Sequence, residues 1–395
     1  MKYRSTPYLR FNKFKEKWQL KVLGDLGSVA MNKRIFREET SEVGEIPFYK
    51  IGTFGSEPDS FITREKFEEY KSKYSYPEIG DILISASGSI GRTVEYKGEE
   101  AYFQDSNIVW LKHDEQLDNS FLKQFYSIVK WQGIEGTTIK RLYNKNILET
   151  PIALPSISEQ SAIGSLFRTL DDLLAGYKNN LANYQSFKTT MLSKMFSKAG
   201  QTVPEIRLNG FEGEWKIKRA DEIFKSVSEK NRALLPVLSA SQIDGMVLRD
   251  EIGIDIKYDE ATLNNYKVVK PGQFVIHLRS FQGGFALSKL EGITSPAYTI
   301  IDFIDKENHL PGFWNSILTS KEFIKRLETV TYGIRDGKSI SFKDFSSLKF
   351  VFPNLEEQQA IGSYFSNLDN LINTYQEKIS KLETLKKKLL QDMFI

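Results

Sequence analysis

The chain has 395 residues, 40% of them hydrophobic and 13% aromatic. That is more apolar material than one core absorbs, since single cores rarely grow past roughly 250 residues, so at least two domains are expected. Its 54 basic and 51 acidic residues leave a net charge of +3, which excludes a chain-wide polycation and leaves nucleic-acid binding to local patches.

The absence of cysteine excludes a disulfide framework and thiolate-rich zinc sites, and His113, His277 and His309 are too scattered to form a metal site, so none is expected. The leading residues are polar and basic, and nowhere do about 18 apolar residues run together. A soluble, cytoplasmic protein is expected.

The leading segment returns half a chain later. Shifted by 197 positions, Pro7, Arg10, Asn12, Phe14, Trp18 and Lys21 fall on Pro204, Arg207, Asn209, Phe211, Trp215 and Lys218. Behind it come short strand-like runs, Asp81–Ser85 and Asn107–Leu111, with a helical patch at 119–131. In the second half their counterparts are Gln273–His277, Tyr298–Asp302 and a helical patch at 311–327. These intervening regions share an outline and little sequence. An α+β globule with a mixed or antiparallel sheet is expected in each.

A second repeat follows, shifted by 198: Pro155, Glu159, Gln160, Ala162, Ile163, Gly164, Phe167, Leu170 and Asp171 recur as Pro353, Glu357, Gln358, Ala360, Ile361, Gly362, Phe365, Leu368 and Asp369. Both copies open with a capping signature in which Ser156 and Asn354 supply the cap oxygen and Glu159 and Glu357 the carboxylate three residues on. Apolar residues then recur at heptad spacing, Ile163, Leu170, Tyr177, Tyr184 and Met191 in one copy, Ile361, Leu368, Tyr375, Leu382 and Leu389 in the other. The pattern predicts two long helices packed as an antiparallel coiled coil, each roughly 60 Å long at 1.5 Å per residue.

Four segments are therefore expected, 1–154 (first globular domain with its leading segment), 155–198 (first long helix), 199–352 (second globular domain) and 353–395 (second long helix), related by a pseudo-two-fold internal repeat. Copies that bind the same partner keep their docking elements, while copies that read different targets diverge where they read.

The order of these motifs, a tryptophan-containing leading segment, a variable domain with Gly80-Asp-Ile-Leu and Ser87-Gly-Ser-Ile-Gly91, then Pro-x-x-x-Glu-Gln-x-x-Ile opening a long helix, all with second-half counterparts, resembles the specificity subunit of type I restriction-modification systems over nearly the whole chain. The resemblance implies a non-catalytic subunit whose two domains read the halves of a split double-stranded DNA target. It also implies docking of two methyltransferase subunits that carry S-adenosylmethionine, and of restriction subunits that need ATP and magnesium. Catalytic motifs are absent from this chain: there is no Asn/Asp-Pro-Pro-Tyr/Phe, no phosphate-binding Gly-x-x-x-x-Gly-Lys-Ser/Thr and no Gly-x-Ser-x-Gly.

Candidate DNA contacts are basic and amide residues near predicted loops: Lys33, Arg34, Arg92, Lys140, Arg141 and Lys145 in the first half, Lys230, Arg232, Arg279, Gln282, Arg335 and Lys338 in the second. The Gly88–Arg92 stretch reads either as a loop whose amides meet a phosphate or as a plain glycine turn. Pro58-Asp59 with Glu69 and Lys71 matches a loose nuclease pattern, but it falls on an expected exposed helix and has no counterpart in the second half. Lys386, Lys387 and Lys388 read as the exposed flank of the last helix.

Overall fold

A computed structural model describes residues 6–136, 140–198, 200–241, 244–252, 260–277, 284–328 and 342–394. By compactness the chain divides into Met1–Lys178 with Glu377–Ile395, and Asn179–Gln376. Both cuts fall inside the long helices, Ile157–Lys194 and Leu355–Met393, rather than at residues 154, 198 or 352. The physical reason is the apolar stripe. A helix with one apolar face cannot be a body of its own, and each half-helix buries that face within the unit it belongs to.

In the first unit the opening half of the first long helix lies antiparallel to the closing half of the second, as Asp171 meets Lys386 and Tyr177 lies under Lys378. In the second unit the other halves pair the same way, through Lys188 with Asp369 and Tyr184 against Tyr375, whose ring centroids are 5.4 Å apart. Lys188 and Lys386 are themselves 198 positions apart, as are Asp171 and Asp369, so the two bridges are one bridge made twice. All ten heptad positions are buried or half-buried.

Each unit is built on the same four-stranded antiparallel sheet. In the first, strands run in the order Gly27–Ala30, Ile108–His113, Ile82–Ser85, Thr93–Glu95. In the second the order is Phe224–Val227, Thr299–Phe303, Phe274–Ile276, Phe285–Leu287. A separate antiparallel pair ties each leading segment to the strand that feeds the long helix: Gln19–Val22 with Pro151–Leu154, and Lys216–Arg219 with Lys349–Phe352.

The units differ beyond that frame. The first adds a three-stranded sheet in which Ile46–Tyr49 pairs parallel with Tyr102–Phe103 and antiparallel with Phe61–Ile62. The second adds two antiparallel pairs, Leu238–Ser241 with Gly245–Leu248 and Lys267–Val269 with Gly292–Thr294.

The repeated residues hold the frame together. Glu159, fully buried, accepts from Arg10 Nε at 2.6 Å, Arg10 Nη2 at 2.7 Å and Trp18 Nε1 at 3.3 Å. Glu357 does the same with Arg207 at 2.7 and 2.7 Å and Trp215 at 3.2 Å. A bidentate guanidinium is what makes a buried carboxylate tolerable, because both oxygens stay bonded. This corrects the capping-box expectation for the two glutamates, whose side chains reach into the clasp instead of back to the helix start. Asn354 does cap, its Oδ1 accepting from Glu357 N at 3.0 Å, whereas at Ser156 the backbone carbonyl receives the Glu159 amide.

Gln160 and Gln358 bracket the neighbouring loops identically. Each Oε1 accepts a backbone amide, from Asp118 at 2.9 Å and Leu310 at 3.2 Å, and each Nε2 donates to two carbonyls, including that of the preceding proline. Gly164 and Gly362 let a short helix press onto the long one. A Cβ at 164 would lie 2.6 Å from Ser120 Cβ, and one at 362 would lie 3.0 Å from the Phe313 amide nitrogen. Those helices are Asn119–Ile128 and Pro311–Leu318; Lys321–Glu328 is a separate helix, so the patch expected at 311–327 is broken at Thr319–Ser320.

Candidate nucleic-acid interface

In the first unit the loops at one end of the shared sheet gather. The Ser87 backbone bridges Arg141, Ala86 bonds both Asn107 and Leu142, and the Ser87 hydroxyl donates to Asn107 Oδ1 at 2.8 Å. Asp105, two residues before Asn107, holds Arg34 at 2.7 Å. The structure thus brings together the segments bearing Arg34, Arg92 and Arg141, with Lys33 and exposed Lys140 adjoining in sequence. Lys145 sits on Asn144–Leu148 and pairs with Glu149 at 3.7 Å.

Several of these cations are already engaged. Arg92 donates to the Phe54 carbonyl at 2.8 Å, and Lys33 lies 5.3 Å over the Tyr74 ring. The Gly88–Arg92 loop is a glycine turn: Gly88 and Gly91 have φ of 64° and 85°, which side-chain-bearing residues rarely adopt. Its Gly91 and Arg92 amides are held by Ser85, at 2.9 Å each, so those two are not available to a phosphate.

In the second unit Lys230 and Arg232 follow the first strand of the sheet, at the place Lys33 and Arg34 occupy in the first. Arg232 lies 3.5 Å from Glu229. Arg279, Gln282, Arg335 and Lys338 lie outside the described residues. Lys267 and Lys270, on or beside the strand Lys267–Val269, join Lys230 and Arg232 and were not singled out from sequence; their signal is only that they flank an apolar strand.

The nuclease-like residues of the first unit are tied up elsewhere, Asp59 with Lys50 at 2.8 Å and Glu69 with Lys73 at 3.1 Å. Among the described residues no group of three or more His, Cys, Asp or Glu side chains is placed to hold a metal ion, and no helix is long and apolar enough to cross a membrane.

His309 is buried among Phe303, Trp314 and Phe352 and accepts from Trp314 Nε1 at 3.3 Å. Burial, then the Lys218 charge, lowers its pKa to about 4, and burial lowers His277 as well. A folded-state value below the ordinary one means the unfolded chain takes up the proton first. The second unit should therefore keep full stability above about pH 6.5 and lose it as pH falls toward 4. Thermal unfolding followed across that window checks this, and His309→Phe should flatten part of the slope; an unchanged slope would exclude His309 as a source.

One frame made twice, each copy carrying a differently elaborated sheet and its own loops, defines a chain of two related modules that differ in their loops. The model for the type I restriction modification DNA specificity domain matches it twice, at residues 15–183 and 212–384. The chain belongs to that family. It is 56% identical over 152 residues to a type I restriction enzyme specificity subunit of Haemophilus influenzae, a match spanning 38% of this chain and only 40% of that relative. It is 24% identical over 327 residues to the MjaVIII specificity subunit of Methanocaldococcus jannaschii, covering 79% and 74% of the two chains. In fold it is similar to the crystal structure of a type I restriction-modification S subunit from M. genitalium, with a TM-score of 0.62, 16% identity and 99% of each chain covered.

Proposed function

We propose that this chain is the DNA-reading subunit of a type I restriction-modification complex: each unit reads one half of a split duplex target, and the chain itself performs no chemistry. The observation that carries the reading is the division of labour in the fold. Clasp, bracket, glycine contact and Lys–Asp bridge repeat residue for residue, whereas the sheets and loops between them do not. The match to the H. influenzae relative supports it, because 56% identity that ends after 152 residues has the length of one such module.

The repeated surface is the docking face for two methyltransferase subunits, and restriction subunits join through them. S-adenosylmethionine, ATP and magnesium act on those chains. Two features of each unit support a pair of equivalent docking sites. Exposed apolar residues recur in register, Leu9 with Ile206, Leu20 with Ile217 and Ile157 with Leu355. A groove recurs beside each Lys–Asp bridge, of about 850 Å³ at Asp171 and Lys386 and about 460 Å³ at Asp369 and Lys188.

Adenine-methylation mapping in cells expressing this chain with a cognate methyltransferase tests the reading. A split motif that appears only with this chain is expected, and exchanging residues of about 20–150 for those of another family member should change one half of it. Methylation unaltered by the chain, with both proteins folded and associated, rules the reading out; a change in both halves overturns the one-unit, one-half assignment. An inserted heptad between Leu170 and Leu192 should alter the gap in the motif or abolish it.

A further inference from the structure

The loop after the first strand of the second unit is held in one shape by its backbone. Asn231 has φ of 64°, a left-handed conformation that asparagine tolerates better than most residues. Its amide donates to the Asn264 carbonyl at 3.1 Å, and Val268 N donates to the Glu229 carbonyl at 2.8 Å. The second bond lays the loop against the strand that begins at Lys267.

Four cations meet on this ledge. Lys270 and Arg232 share Glu229, at 2.7 and 3.5 Å, and Glu291 adds a nearby negative charge to Lys270. Lys230 and Lys267 are different: neither has a carboxylate within ion-pair distance among the described residues. Lys230 is exposed, while Lys267 is half-buried with its ammonium donating to the Tyr298 carbonyl at 2.6 Å. Burial, then repulsion from the nearby Lys230 charge, lowers the Lys267 pKa. In the first unit the counterpart of Lys230, Lys33, lies over the Tyr74 ring.

We propose that Lys230 and Lys267 clamp one backbone phosphate of the DNA read by the second unit. The clamp rests on the DNA-reading function proposed above. A neutral carbonyl already takes one Lys267 proton and fixes the direction of the ammonium, leaving two for phosphate oxygens. The fixed loop carries the Lys230 backbone to the edge of the strand that bears Lys267, so only the Lys230 side chain has to be ordered on binding. A phosphate contact carries no base information, so the clamp sets register and leaves sequence reading to other residues.

The experiment is a salt titration of the full chain binding a mixed-sequence DNA duplex, comparing wild type with Lys230→Met, Lys267→Met, Lys267→Arg and the double methionine variant, with thermal unfolding of each. The plot of log affinity against log salt should lose about one unit of slope in the double variant and keep its slope in Lys267→Arg. Each single methionine variant should bind more weakly by a similar factor on any duplex. Because Lys230 is exposed, its variant stays informative even if Lys267→Met fails to fold. Unchanged affinity and slope in folded Lys230→Met, or an unchanged slope in a folded double variant, overturns the clamp. A wild-type chain whose binding ignores salt overturns the DNA-reading function itself, and the clamp with it.

Discussion

Phe394→Ala should strongly destabilise the first unit and leave the second intact. The ring lies at the far end of the chain from the core it completes, stacked on Phe121 at 5.1 Å and 20°, edge-on to Trp18 at 6.5 Å and 6.3 Å from Phe167. Removing a buried phenylalanine costs about 3–5 kcal/mol, a large part of the roughly 5–15 kcal/mol by which a domain is stable. Phe196, 198 positions earlier, does the same for the second unit, stacked on Phe365 at 5.9 Å and 5.7 Å from Phe313. Even the adjoining backbone bonds correspond, Leu9 N to Asp392 O at 2.8 Å and Ile206 N to Lys194 O at 2.9 Å. Hydrogen exchange read by peptide is the measurement. Loss of protection in Asn119–Ile128 and Ile108–His113, with Phe224–Val227 unchanged, is expected for Phe394→Ala, and the converse for Phe196→Ala. Equal loss in both units would mean that the end of each long helix does not serve one core alone.

Glu159→Ala and Glu357→Ala should each cost about 3–5 kcal/mol, because each leaves a largely buried guanidinium and an indole N–H without their acceptor. Side-chain exposures of 1% for both glutamates, with 14% for Arg10 and 16% for Arg207, place these pairs outside the regime of surface salt bridges, worth about 0–1 kcal/mol. Glutamine at either position should cost less, since it keeps one oxygen for the fork. A double-mutant cycle separates the clasp from a helix cap: once Arg10 is alanine, the penalty for Glu159→Ala should fall by well over 1 kcal/mol, whereas a cap would be lost in full either way. The two clasps share no residue, so their costs should add. A Glu159→Ala protein within about 0.5 kcal/mol of wild type in denaturant unfolding would show that the pair contributes no more than an exposed one.

Much of this architecture is legible without coordinates, and particular residues show why. The helices are written in a heptad stripe and marked at the start by Pro155 and Pro353; local periodicity fixes them because one face has to be buried. Strands at 82–85, 108–113, 274–276 and 299–303 fall within a residue or two of the apolar runs that announce them. The break in 311–328 escaped the pattern, since the apolar spacing runs on through Thr319–Ser320 and only the packing of Phe313, Trp314 and Phe323 shows the turn. The glutamates were found by repetition and given the wrong partner. A capping box is a four-residue signal, while the clasp joins residues about 150 positions apart, and only the matching recurrence of Arg10 with Arg207 and Trp18 with Trp215 hinted at it.

The sequence by itself determined that the chain is one frame made twice, with divergent inserts and two long helices, because identity at a fixed shift and apolar period are local properties of the string. What only the tertiary structure decided is which ends belong together. The close of the second helix completes the first unit and the close of the first helix completes the second, since a half-buried helix face and a lone aromatic ring are stable only where complementary surface waits for them. It also decided which cations pair within the chain. Arg34, Arg92 and Lys145 meet Asp105, the Phe54 carbonyl and Glu149, while Lys230 and Lys267 have no carboxylate within ion-pair distance among the described residues, and ionic pairing depends on distances in space that no spacing along the chain contains.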